Sequence, residues 1–235
     1  MKMMNNFGYF KPSDPTLNGI KFGNWGSRPY EYFWAASVVD VENKSILDFG
    51  TGLPSEHNWY QFVLQNLKPS HYQGIDYDSR IKNEEINEPN CKMGWMDMSD
   101  LKISDNSIDV LYAISTFEHI DNIDVFMNCV KEAHRVLKKD SIMVITIDEM
   151  WNCFNKDPIH SAWNELEKVL IKENIINHKT HSFGMKDFIE IISQYFEPCF
   201  EDGEQAPQQV NCQEDLLYNL TWNSKVSYGV FKVKK

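Results

Sequence analysis

The residues best suited to chemistry in this 235-residue chain sit at four places where an apolar run of strand length ends. The first is Ile46-Leu47-Asp48-Phe49-Gly50-Thr51-Gly52. Gly50 and Gly52 let the backbone turn sharply and approach a ligand with no Cβ in the way. Nicotinamide enzymes use a similar turn, but their third glycine would fall at Ser55 here, and that glycine normally gives close helix–strand packing beside a pyrophosphate. An ordinary tight turn stays open as the plain alternative. The second place is Gly74-Ile75-Asp76-Tyr77-Asp78. Asp76, at the expected carboxyl end of a strand, can accept both hydroxyls of a ribose in the crevice where open α/β sheets bind ligands. Tyr77 can pack against an adenine, and Asp78 suits the N-cap of a following helix. At the third place, Met93-Gly94-Trp95-Met96-Asp97-Met98, Asp97 can accept from an adenine amino group while the Met98 backbone N–H meets a ring nitrogen. For both aspartates the alternative is a solvated acid at a strand end. The fourth run, from Asp109 to Ile120, delivers a polar cluster that includes Ser115 and His119 to the same sheet edge.

Elements that would hold these residues are readable from periodicity. Strands are expected at Ser45 to Phe49, Tyr72 to Asp76, a short stretch ending near Met96, Ile108 to Ile114, Ser141 to Ile147 and Val226 to Val233. Helical spacing runs from Pro29 to Val39 with proline in the first turn. It recurs from Ser55 to Leu67, where Trp59, Phe62, Val63 and Leu67 share a face, and from Ile123 to Leu137, which ends in basic residues. Further helices are expected around Ala162 to Ile171 and from Gly184 to Phe196, stopped before Pro198, with 202–213 as loop. Alternating strands and helices predict βαβ units and a parallel sheet.

Bulk properties narrow the partners. Net charge is −11 and the pI about 5.1, a sign that repels nucleic acid phosphate and anionic membrane surfaces. There is no run of about 18 apolar residues for a membrane span and no apolar core of a secretion signal at the start. Five cysteines without C-x-x-C spacing point to reduced thiols in a cytoplasmic setting. The Asn219-Leu220-Thr221 sequon is expected to be unused.

In the order of its motifs the chain resembles class I S-adenosylmethionine-dependent methyltransferases of the small-molecule type. Asp48-Phe49-Gly50-Thr51-Gly52 matches their D-x-G-x-G motif, Gly74-Ile75-Asp76 their second and Asp97 their third. Phe117-Glu118-His119-Ile120 is similar to the fourth, and Glu132 to Lys138 with the Ile142 to Ile147 strand to the stretch after it. A weaker match covers Arg28 to Trp34. Lys139-Asp140-Ser141 replaces the usual Pro-Gly-Gly turn, Pro54 stands where a third glycine is common, and no [D/N]-P-P-[Y/F] follows the fourth strand, which counts against DNA and amide N-methylation.

The resemblance implies a doubly wound, mostly parallel α/β sheet whose last strand is antiparallel. It implies an extension over 1–44, a cofactor-binding domain over 45–235 and an inserted lid at 149–182. S-adenosylmethionine would be held by Asp48, Gly50, Thr51, Gly52, Asp76, Tyr77, Asp97, Met98 and Ser115, with Glu31 on the amino group of the methionine moiety or else on an exposed helix face. The acceptor would be a small molecule, at a hydroxyl and on a sugar for preference. Holding the acceptor in line with the methyl group does most to speed such a transfer, and His119 is the base candidate because its ordinary pKa lies near neutrality. His119 otherwise packs or fixes its loop. Asp148 and Glu149 can be catalytic substrate partners, helix-start acids or ligands of a Mg²⁺-like ion. Trp151, Phe154, His160 and Trp163 would line the lid or pin an extra helix. Metal-assisted O-methylation, a nicotinamide-dependent oxidoreductase and a non-catalytic cofactor-binding module are the rivals. Oligomeric state is not readable.

Overall fold

Strand β6 (Ile108–Ile114) sets the architecture, because both of its faces are apolar. Val110, Tyr112 and Ile114 enter one buried cluster, and Leu111 and Ala113 enter another on the opposite face. A strand buried on both faces must lie inside a sheet covered by helices on each side. The computed structural model describes residues 16–21, 28–120, 122–150, 172, 185–199, 210–211 and 224–235.

A small hairpin of β1 (Thr16–Leu17) and β2 (Ile20–Lys21) precedes the main sheet. The sheet is built from β3 (Ser45–Phe49), β4 (His71–Asp76), β5 (Cys91–Trp95), β6, β7 (Leu137–Met150), β8 (Phe196–Pro198), β9 (Val210–Asn211) and β10 (Ser224–Val233). Its order is β5-β4-β3-β6-β7-β10-β8, with β9 beside β10. Strands β3 to β7 pair in parallel, whereas β10 runs antiparallel between β7 and β8. The chain starts at β3, winds outward to β5, then crosses back to β6. That reversal puts the switch point, and hence the ligand crevice, at the carboxyl ends of β3 and β6.

Helix α1 (Arg28–Val38) and α2 (Trp59–Phe62), continued by a π-helical stretch (Val63–Leu67), contribute to one apolar layer. Trp59 stacks on Tyr32 there and meets Tyr112 edge-on. Helices α3 (Ile123–Val136) and α4 (Met185–Ile192) contribute to the other, where Phe117, Phe126 and Phe188 pack as mutually edge-on rings. Asn122 caps α3 by accepting from the Asp124 and Val125 N–H groups. Arg135 on that helix binds Glu132, Asp105 and the carbonyls of Leu101 and Ile103, and Lys138 pairs with Asp109. The charged residues of the Glu132 to Lys138 stretch are therefore braces for the sheet's far end.

Several expectations shift: β9 falls in the segment expected as loop, and Lys139-Asp140-Ser141 lies inside β7. The helix expected from Ser55 begins at Trp59, because Pro54 and the turn over 54–56 come first. The segment expected to stay helical to Phe196 leaves the helix at Ile192 and forms β8, where Phe196 is buried against β10. Of the expected lid at 149–182, Glu149 and Met150 belong to β7 and Lys172 is helical, whereas Trp151, Phe154, His160 and Trp163 lie outside the described residues, as does the sequon.

Candidate cofactor and acceptor site

Gly50 and Gly52 leave β3 with φ of 64° and 71°, in the left-handed region that only glycine adopts without strain. Each is also crowded. A Cβ on Gly50 would lie 2.5 Å from Thr116 Oγ1, and a Cβ on Gly52 would lie 2.4 Å from His57 Cδ2. The turn is tied to the neighbouring strand at two points. Thr51 N–H donates to the Ile75 carbonyl (3.1 Å), and Gly52 N–H donates to Asp76 Oδ2 (2.9 Å). The other Asp76 oxygen accepts from Asp78 N–H at 2.8 Å. Asp78 caps the 3₁₀ turn that follows, accepting from Arg80 N–H.

Beneath the turn, Asp48 is almost wholly buried and accepts from the Tyr72 hydroxyl, which lies 3.1 Å from Thr51 Oγ1. Burial pushes the Asp48 carboxyl up to about 7, against the opposing hydrogen bonds from Tyr72 and Thr51. His57, half-buried over Gly52, has its pKa lowered by burial and then by Arg28.

A second cluster forms where α1 meets the ends of β6 and β7. Glu31 is fully buried; its Oε2 accepts from Ser115 Oγ (2.7 Å), Thr146 Oγ1 and, at 3.4 Å, Arg28 Nη1. It does not face solvent, because α1 turns that side toward the sheet. Arg28 also donates to the Ile114 carbonyl at 3.3 Å. Ser115 has φ of 42°, unusual for a residue with a Cβ, and its N–H is held by Thr146.

On the far side, Tyr77 is 68% exposed and Trp95 41% exposed, with rings 5.6 Å apart. Trp95 donates to the Tyr77 carbonyl, and Lys82 Nζ lies 4.4 Å from the Trp95 ring. Asp97 Oδ1 accepts from Ser99 N–H and Oγ, which ties that oxygen into its own turn. Met98 is half-buried against the core. His119 ends a 3₁₀ turn (Phe117–His119) after β6 and is exposed. Asp148 and Glu149 lie in β7 opposite Val226 and Lys225; the backbone alone is described for these two. Among the described residues, no helix is long and apolar enough to cross a membrane.

These features fit a nucleoside with a charged tail: a sharp glycine turn packed against Thr116 and His57, an acid beside it, and polar groups at both ends. Sequence reading passed over Tyr72, Thr146, His57 and the part played by Arg28. A lone hydroxyl at Thr146 inside the apolar run Met143 to Ile147 was a usable signal; nothing marked Tyr72, whose type suits any buried strand.

Residues 47–145 match the family described as a methyltransferase domain. No curated protein matches the sequence. Among solved structures, an S-adenosylmethionine-dependent methyltransferase from Mesorhizobium loti superposes with a TM-score of 0.54 at 13% identity, over 88% of this chain and 97% of its own. A Listeria monocytogenes protein assigned to the same enzymes gives 0.57 at 13%, over 88% and 99%. Phosphoethanolamine N-methyltransferase 2 of Haemonchus contortus, solved with S-adenosylmethionine, gives 0.54 at 11%, over 93% and 54%. The strand order and the antiparallel β10 are those of this methyltransferase fold.

Proposed function

We propose that this protein is an S-adenosylmethionine-dependent methyltransferase that delivers the methyl group to a hydroxyl of a small molecule, with sugars the leading acceptor class. The observation that carries the reading is the placement of two polar clusters, Gly50–Gly52 with Asp76 and Glu31 with Ser115 and Thr146, at neighbouring strand ends. In this reading the turn and Asp76 hold the nucleoside, Tyr77 covers the adenine, and Asp97 and the Met98 N–H meet its edge. Glu31 and Ser115 serve the methionine end, where a buried carboxylate favours an ammonium group. When bound, the cofactor supplies a methyl group on a positively charged sulfur. The protein's share is to align an acceptor oxygen and remove its proton. His119 would take that proton from the acceptor hydroxyl as the methyl group is transferred. Net charge of −11 supports a small acceptor over an anionic polymer.

An acceptor screen with methyl-labelled cofactor over sugars, sugar nucleotides, phenols and amines tests this. Label should appear in an ether of a hydroxyl compound, at a rate unchanged by a chelator. Transfer only to amines would overturn the hydroxyl assignment. Loss on chelation with recovery on adding a divalent ion would move Asp148 and Glu149 into a metal-assisted mechanism.

A further inference from the structure

We propose that Tyr72 is a positioning residue for the cofactor: its hydroxyl ties the Gly50–Gly52 turn to the buried Asp48 carboxylate and so sets the shape in which the turn receives a cationic ligand. The proposal rests on the S-adenosylmethionine reading above. Tyr72 is the second residue of β4, opposite Ile46, and is fully buried. Its oxygen bridges two groups from the neighbouring segment, Asp48 Oδ2 and, at 3.1 Å, Thr51 Oγ1. Thr51 in turn is seated on Gly74, where a Cβ would lie 2.8 Å from Thr51 Oγ1. The small residue in β4 therefore makes room for the threonine that the tyrosine holds. With Gly52 fastened to Asp76 and Thr51 to Ile75, the hydroxyl supplies a third tie, the one made from below. Phenylalanine would fill the same core volume without it.

Asp48 makes this tie sensitive to charge. Its carboxyl, raised by burial to about 7, is part-protonated near neutral pH. Groups acting on it from the surrounding elements are Tyr72, Cys91 and Asp76 on β4 and β5, Tyr112 on β6, and Tyr32 and Arg28 on α1. A cationic ligand placed on the turn favours the carboxylate form, so its binding expels the proton below about pH 7. Affinity for S-adenosylmethionine then rises as pH climbs toward that value and levels off above it. S-adenosylhomocysteine, which lacks the sulfonium, shows a shallower rise. The Tyr72 hydrogen bond lowers the Asp48 pKa, so removing it moves the rise to higher pH.

Calorimetric titration from pH 6 to 9 with both ligands tests this on the wild-type chain, Tyr72→Phe, Thr51→Val and the double variant. Each single change should weaken S-adenosylhomocysteine binding on the order of tenfold, and the double should be little worse than either. The pH rise for S-adenosylmethionine should shift upward in Tyr72→Phe, an effect that loss of packing alone does not produce. If Tyr72→Phe fails to fold, Thr51→Val and the wild-type comparison of the two ligands still decide. Wild-type binding with variants within twofold of it, or with the two ligands equally insensitive to pH, overturns the role of Tyr72 alone. No binding by the wild-type chain overturns the cofactor reading and this role together.

Discussion

His119→Ala should lower kcat by roughly 10²- to 10⁴-fold while leaving affinity for S-adenosylhomocysteine near its wild-type value. The imidazole stands on the turn after β6, exposed at the sheet edge that carries the cofactor cluster, and its main-chain N–H is used by the Thr116 carbonyl. In the proposed mechanism the side chain meets the acceptor while the backbone fixes the turn. Only the neutral imidazole can accept a proton, so the rate should rise with pH through the ordinary histidine range. Steady-state kinetics of the variant against pH distinguishes three mechanisms. Proton removal by His119 predicts a large loss in kcat and a flattened profile. A metal-assisted reaction predicts equal damage from Asp148→Ala and Glu149→Ala, and activity that follows divalent ion concentration. A purely positioning enzyme loses little with His119→Ala and more, chiefly in KM, with Trp151→Ala. Near-normal kcat in His119→Ala contradicts the base assignment.

Asp76→Ala should weaken cofactor binding by roughly 10- to 100-fold, because each hydrogen bond to a charged group contributes about 1.5–3 kcal/mol. The Asp76 carboxylate accepts from Gly52 and Asp78 and so braces the glycine turn; in the proposed reading it also faces the ribose. The strand itself should survive, since β4 is held by parallel pairing on both sides and by the buried Tyr72 and Ile75. Calorimetry with S-adenosylhomocysteine, beside a thermal melt of the free protein, reads the two roles separately. A lower melting point with an unchanged dissociation constant would leave Asp76 a turn brace and remove it from the ribose site.

The core of the fold was legible because its strands are buried on both faces. Ile108 to Ile114 and Ser45 to Phe49 are mostly apolar runs of strand length, interrupted by Asp109 in one and Asp48 in the other, and both fall where periodicity put them. Asp76 and the two glycines were legible because they terminate such runs. Contacts between distant segments were not. For Glu31 the sequence leaves open a contact with the methionine amino group or an exposed helix face; only the docking of α1 on β6 and β7 buries it beside Ser115 and Thr146. Tyr72 reads as core, and its hydroxyl gains meaning only from the parallel register that sets it beside Asp48. The early part of the expected α2 was misplaced because apolar spacing does not register the turn that Pro54 begins. Phe196 was lost to the preceding helix for a similar reason: a three-residue strand carries no period of its own.

The central claim is that this edge of the sheet binds S-adenosylmethionine, and its most direct test is the thermal melt of the wild-type chain with S-adenosylhomocysteine beside an equal concentration of NAD. A ligand at about 100 times its Kd stabilises the fold by about 2.7 kcal/mol. The melting point should rise with S-adenosylhomocysteine and stay unchanged with NAD; a rise with NAD alone would contradict the account.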